Sequence, residues 1–168
     1  GTFYRGVPRG PVRHTLRAYA MHFNAVEVNT SFYGVPSTGS VIAWRDSTPP
    51  SFRFCIKMIR EVTHGPTPPG SLAAWDGPPP GHLLRRDTLA KARELLEAVE
   101  PLQGKLGAIL LQFPPRFAAD RIDELGTFLD RLSPAPPLAV EFRHGSWDSA
   151  ATEHILRSRA ACWVISDE

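Results

Sequence analysis

Acidic, basic and amide side chains recur in this sequence at the ends of short apolar runs: Glu27 and Asn29, Lys57, Gln112, Glu141 and Arg143, and Asp167, with His144 directly behind Arg143. Glu27 or Glu141 can move a proton or ligate a divalent cation. Lys57 and Arg143 can stabilise negative charge, and Lys57 can act as a base where desolvation lowers its pKa. His144 offers metal ligation or proton transfer. Phe32, Tyr33 and Trp147 follow the same runs and can wall a ligand. On this reading Glu27, Lys57 and Glu141 are the catalytic candidates. Asn29, Tyr33, Gln112, Arg143, His144, Trp147 and Asp167 are the substrate-binding candidates. Each has a plainer alternative: an ion pair of Lys57 with Glu141 or of Glu141 with Arg143, a hydrogen-bonded loop histidine, aromatic rings in core packing. What sets the group apart is where its members fall.

The runs themselves read as strands over Asn24–Asn29, Phe52–Met58, Leu106–Phe113, Leu138–Arg143 and Cys162–Asp167, rich in Val, Ile, Leu or Phe as strands buried on both faces should be. Successive side chains point to opposite faces. Glu27 and Asn29 therefore oppose Val26 and Val28, and Cys55 and Lys57 oppose Phe54, Ile56 and Met58. Gln112 falls with Ala108 and Leu110, Glu141 and Arg143 with Ala139, and Asp167 with Trp163 and Ile165. If the large apolar sets cover helices, every polar set faces a common interior, late in its strand.

Between the strands lie helical stripes: Val12, Leu16, Tyr19 and Phe23 after Pro11; Ser37 to Asp46 with Val41 and Trp44; Leu89, Ala92, Leu96 and Val99 behind an Asp87 or Thr88 cap; Ile122, Leu125, Leu129 and Leu132 behind Asp120; and Ile155 with Leu156 after Asp148. Single helices between strands imply right-handed crossovers and a parallel sheet. No GxGxxG turn supports an open dinucleotide-binding sheet, and polar chemistry at the strand ends favours a TIM-type (β/α) barrel of class α/β, whose sites sit at the C-terminal face. A whole barrel has eight strands and about 250 residues. One partial barrel domain over residues 1–168 is expected, with five strands, reading as cut at both ends and therefore aggregation-prone at its unpaired edges. The stretch His64–Asp87, with Pro66, Pro68, Pro69, Pro78, Pro79 and Pro80, can carry neither helix nor strand through its middle and reads as a solvated loop.

Composition narrows the classes. A net charge of +2 with scattered basic residues gives no nucleic-acid footprint. No run of about 18 apolar residues exists to span a membrane. Cys55 and Cys162 sit in strand-like runs and read as reduced core thiols, which points to the cytoplasm. HExxH, CxxC, Walker A and GxSxG motifs are absent. The Asn29-Thr30-Ser31 sequon sits at a strand end without a secretion signal and is dismissed.

The run Phe23-Asn24-Ala25-Val26-Glu27-Val28-Asn29-Thr30-Ser31-Phe32-Tyr33 resembles the signature of the YecE-like family, domain of unknown function 72. So do Trp44 through Lys57, Leu111-Gln112-Phe113-Pro114-Pro115, and Ala139-Val140-Glu141-Phe142-Arg143-His144 with Trp147. The resemblance implies a TIM-type barrel whose first strand precedes Gly1 and whose last two follow Glu168. It matches the family's polar positions onto Glu27, Asn29, Lys57, Gln112, Glu141, Arg143, His144 and Asp167. Gly145 stands where the family usually has Pro, a change that loosens the turn after His144.

Two functions follow from the residues. One is an enzyme on a polar or anionic small molecule, a sugar or phosphate ester, using acid–base chemistry or a divalent metal: Mg²⁺ or Mn²⁺ on oxygen ligands, Zn²⁺ if His144 joins. The other is a ligand-binding or regulatory barrel in which the same charges grip an anion. The resemblance names no reaction, cofactor or oligomeric state.

Overall fold

The computed structural model describes residues 12–66 and 77–165. Apolar runs become β1 (Ala25–Val28), β2 (Arg53–Lys57), β3 (Leu106–Phe113), β4 (Leu138–Phe142) and β5 (Cys162–Val164). They form one five-stranded sheet in the order β1-β2-β3-β4-β5, with every neighbouring pair parallel. The stripes become α1 (Val12–Tyr19), α2 (Thr38–Asp46), α4 (Arg86–Val99), α5 (Ile122–Leu132) and α6 (Ala150–Arg157), with a further short turn of helix, α3 (Arg60–Thr63), behind β2. The strand order never reverses, so there is no switch point of the doubly wound kind. Helices α1 and α2, α2 and α4, α4 and α5, and α5 and α6 touch in succession, which lays them side by side along the sheet. This singly wound order is that of a TIM-like α/β fold. Among the described residues β1 and β5 each pair along one edge.

The sequence parity decides what is inside. Phe54, Ile56, Ile109, Leu111, Phe113 and Val140 are buried together with Val41 of α2, Leu95 and Val99 of α4, and Leu125 and Phe128 of α5. Each such side chain contributes about 1.5–3 kcal/mol of transfer free energy. The opposite face is fixed by register: Glu27 lies beside Cys55, Lys57 beside Leu110, Gln112 beside Glu141, and Glu141 beside Val164.

Several local expectations are corrected. Trp163 pairs with Val140, and so shares the helix-side face, while Cys162 and Val164 share the face of Glu141. Trp163 therefore does not share the strand face of Glu141, although it still lines the cavity at the strand ends, and Asp167 lies outside the described residues. Cys162 is exposed rather than a core thiol, because β5 has no described neighbour on its far side. Neither acidic residue caps its helix. Arg85 is the N-cap of α4, and Asp87 sits inside the first turn, accepting from the Thr88 N–H at 3.0 Å. Asp120 belongs to a 3-10 turn, Ala119–Arg121, that leads into α5. The working caps are serines: Ser37 accepts from Ser40 N–H and Ser149 from Thr152 N–H, both at 3.2 Å.

The returning leg of the proline-rich loop is not simply solvated. Glu124 accepts from the Gly81 and Leu83 N–H groups at 3.0 and 2.8 Å. Arg121 pairs with both Glu124 oxygens at 2.8 Å and donates to the carbonyls of Pro78 and Pro79. Gly65 (φ +82°) adopts a left-handed backbone against Pro78, where a Cβ would stand 3.1 Å from the proline Cα, so the two legs are pressed together. His82, 5% exposed, holds Glu61 O at 2.7 Å through Nε2. The Arg121–Glu124 pair is mostly buried, at 11% exposure for each side chain. Glu124→Ala should therefore cost about 3 kcal/mol, because it strands a buried guanidinium and two N–H groups. Chemical denaturation would measure the loss, and limited proteolysis should find new cleavage within residues 77–84.

Candidate functional site

Parallel register places Gln112 directly beside Glu141 at the C-terminal ends of β3 and β4. Gln112 Nε2 donates to Glu141 Oε1 at 2.8 Å, and Arg143 Nε stands 2.7 Å from the same oxygen. Glu141 is only 6% exposed. A carboxylate that deep needs both a charge partner and hydrogen bonds, and these two residues provide them.

Beside this cluster opens a cavity of about 890 Å³ lined by Gln112, Arg143, His144, Trp147, Asp148 and Trp163, with His64 on the β2 side and Pro114 and Pro115 on the β3 side. Its wall is rigid. Phe113, Phe117, Trp147 and Phe142 stack nearly parallel, with Phe142 and Trp147 ring centres 4.0 Å apart and Phe113 and Phe117 4.2 Å apart. Trp147 is 1% exposed and donates from Nε1 to Phe117 O at 2.6 Å, tying the loop after β4 to the loop after β3. His144 caps the 3-10 turn Gly145–Trp147: its Nδ1 accepts from Ser146 N–H at 3.1 Å and lies 2.8 Å from Ser146 Oγ.

A second group lies beside this one, at the end of β2. Lys57 Nζ sits over the Phe32 ring, 5.1 Å from its centre, and His64 packs its edge on the same ring at 5.1 Å. His64 Nδ1 contacts Thr63 Oγ1 at 2.9 Å. Burial first, then the charges of Lys57 and Arg60, press the His64 pKa down to about 4, so its ring is neutral at ordinary pH. Ser31, 1% exposed, has its hydroxyl 2.7 Å from both Val28 O and Lys57 O and joins the ends of β1 and β2.

The predicted residues thus divide. Gln112, Arg143, His144 and Trp147 come together around one cavity, and Glu141 stands behind Gln112 and Arg143, bonded to both. Lys57 adjoins it through Phe32 and His64, and Glu141 takes Arg143 rather than Lys57 as its partner. Glu27 lies on β1, three strands from Glu141, roughly 14 Å along the sheet at about 4.8 Å per strand. It is exposed beside Cys55, whose thiol is pushed up to about 11 by burial and by the Glu27 charge. Asn29 has left the strand, with helical φ −78° and ψ −20°, and so escapes the parity assignment. Tyr33 is 82% exposed. Among the described residues no group of three or more His, Cys, Asp or Glu converges as a metal site. Sequence reasoning missed His64, Ser146 and Asp148: each lies in a loop, where neither parity nor helical period speaks. The adjacent pair His64-Gly65 was the available signal.

The family profile described as "Protein of unknown function DUF72" matches residues 1–168. The UPF0759 protein YecE of Escherichia coli is 33% identical over 145 residues, covering 86% of this chain and 47% of its own length. The UPF0759 protein YunF of Bacillus subtilis is 26% identical over 150 residues, covering 84% and 47%. The chain thus spans about half the length of these curated relatives. A crystal structure of a DUF72 family protein from Enterococcus faecalis superposes with a TM-score of 0.70 at 25% identity, covering 91% of this chain and 59% of that one. One from Thermotoga maritima gives 0.66 at 27%, covering 95% and 57%.

Two measurements check this geometry. An unfolded histidine binds a proton near pH 6.5, whereas folded His64 waits until about 4. Over that interval the unfolded state holds more protons, so stability should fall as pH drops from 6.5 to 4 and level off below. Urea unfolding of His64→Gln should show a shallower loss than wild type; parallel curves would mean that His64 titrates normally. The second concerns Gly145, the first residue of its 3-10 turn, where an added Cβ would meet nothing within 4 Å. His144 before it has φ −110° and ψ 125°, the conformation a following proline requires. Gly145→Pro should therefore raise stability by about 0.5–1 kcal/mol through the unfolded state, read as a higher denaturation midpoint with an unchanged slope.

Proposed function

The chain belongs to the DUF72 family, and from the strand-end cluster we propose that it binds a polar or anionic small molecule, a sugar or phosphate ester, and acts on it by acid–base chemistry. The observation that carries this reading is a buried carboxylate, Glu141, held by an amide and a guanidinium, Gln112 and Arg143, that both line a cavity of about 890 Å³. Barrel enzymes place their chemistry at this end of the strands, and a cavity with aromatic walls and a few converging polar groups is the usual form of a small-molecule site. The reading takes the five strands as consecutive staves of a closed (β/α) barrel, which their unbroken order and the likeness to the DUF72 crystal structures support.

Roles follow from position. Glu141 handles the proton, with Gln112 and Arg143 fixing its orientation and Arg143 offsetting charge on the ligand. Neutral His64 faces the same cavity from the β2 side and is a second group able to take or give a proton. Lys57 adds positive field at the mouth. The free thiols Cys55 and Cys162 suit a reducing, cytoplasmic setting. Among the described residues no helix is long and apolar enough to cross a membrane.

The second reading, a binding or regulatory barrel, is favoured by one detail: both contacts of Glu141 fall on Oε1, an arrangement that also serves a purely structural ion pair. Glu141→Gln in the full-length protein separates the two. Against a panel of sugar phosphates and sugar acids, an enzyme should lose about 100-fold or more in turnover while ligand binding stays measurable. A barrel that binds members of the panel with no turnover in the wild type would establish the second reading.

A further inference from the structure

Resting on the reading of this cavity as a ligand site, we infer that His144 is a fixed hydrogen-bond donor that recognises a ligand oxyanion, with Ser146 as its positioning residue. The inference comes from the hydrogen bonds around one ring. Ser146 N–H points at His144 Nδ1 at 3.1 Å, and an N–H group can only donate. Nδ1 is therefore the unprotonated nitrogen. Ser146 Oγ, 2.8 Å from the same nitrogen, receives the Ala119 N–H at 2.9 Å on one of its two lone pairs, and against an unprotonated Nδ1 its own proton turns to that nitrogen. Two donors from one residue converge on one lone pair, and the ring proton is confined to Nε2. That nitrogen is on the ring edge away from the turn, in a residue that lines the cavity.

The consequence is chemical. With Nδ1 occupied, His144 presents an N–H to the cavity rather than a lone pair, so it is neither a base nor a metal ligand in this arrangement. Its neighbour Arg143 brings a guanidinium to the same wall, with Nε on Glu141. A neutral N–H beside a guanidinium selects for oxygen acceptors, and most strongly for charged ones. The class of ligand is thus narrowed to one bearing a carboxylate or a phosphate. The anchoring is also structural: Ala119 starts the turn before α5, so Ser146 ties the ring's orientation to the loop after β3 as well as to its own.

The test uses the full-length protein labelled with ¹⁵N at histidine. A two-bond imidazole correlation spectrum should show His144 protonated at Nε2, and the proton moved to Nδ1 would overturn the inference. Inorganic phosphate and acetate are then titrated separately, with neutral glucose as the third arm. A shift of the His144 Nε2 signal with phosphate, with acetate or with both supports the inference, and the stronger of the two identifies the oxyanion. His144→Phe should weaken that binding about tenfold, the worth of one such bond, whereas His144→Gln, which keeps a donor at the Nε2 position, should remain within about threefold of wild type. His144→Phe binding as wild type does would overturn the inference. So would glucose perturbing the cavity while neither anion does, an outcome that leaves the small-molecule site standing. If no sugar phosphate, sugar acid or probe perturbs any cavity residue, the site reading itself fails and this inference with it. Ser146→Ala supplies the positioning readout: it should populate the Nδ1–H form, which the wild-type spectrum lacks, without unfolding the turn.

Discussion

Burying a carboxylate at the end of a strand imposes terms on everything near it. Glu141 is 6% exposed, and an unpaired charge there would cost several kcal/mol. Its two partners arrive by different routes. Gln112 arrives by register, since the β3–β4 ladder sets it beside Glu141. Arg143 arrives by sequence, two residues along, where the chain has just left β4 and a long side chain can fold back. A one-residue slip of β3 against β4 would exchange Gln112 for Leu111 or Phe113 and leave the carboxylate without its amide. The helices enforce that register from the other side, because the same slip would turn Ile109, Leu111 and Phe113 away from α4 and α5.

The mouth above is made firm less by strand pairing than by side chains bonding to backbone across loops. Trp147 reaches Phe117 O, Ser146 receives Ala119 N–H, Glu124 receives the N–H groups of Gly81 and Leu83, and His82 holds Glu61 O. The His82 bond closes the β2–α4 connection on itself and the others join one βα loop to a neighbouring element, so the rim from β2 to β4 is laced together. Stacked rings fill the space beneath: Phe113, Phe117, Trp147 and Phe142 come from two strands and the two loops that follow them. A surface mounted this way is preorganised, as the proposed recognition of a small molecule would require.

Period-2 and period-3.6 patterns made the framework legible, because burial against helices is what selects Val, Ile, Leu and Phe at those intervals. Five strands and the helices between them could be read, and the face carrying Lys57, Gln112 and Glu141 came with them. What could not be read depends on relations between segments. Asp87 and Asp120 have the residue type that suits a cap, yet the cap positions fall one or two residues away, on Arg85 and Arg121, which take them without side-chain bonds. Trp163 was assigned to the wrong face because β5 is short and offers no alternation strong enough to orient it. His64 was passed over because loop residues carry no period, and only the folded chain brings it against Phe32.

The balance of charge at the mouth bears on how the two histidines differ. His64 is desolvated and lies near Lys57 and Arg60, and all three influences disfavour its cation. His144 is exposed and satisfied on one side by Ser146, so its ring is constrained in direction. One ring is thus held neutral by its surroundings and the other is held in one tautomer by its turn. On the proposed reading, a ligand between them would meet a neutral imidazole on the β2 side and an N–H donor on the β4 side, with Arg143 and the Glu141 it holds close by. Under the proposed function, proton transfer and oxyanion recognition would fall to different walls of the same cavity. That separation lets a small molecule bind by its charged end while its reacting end stays in reach of a group that can move a proton.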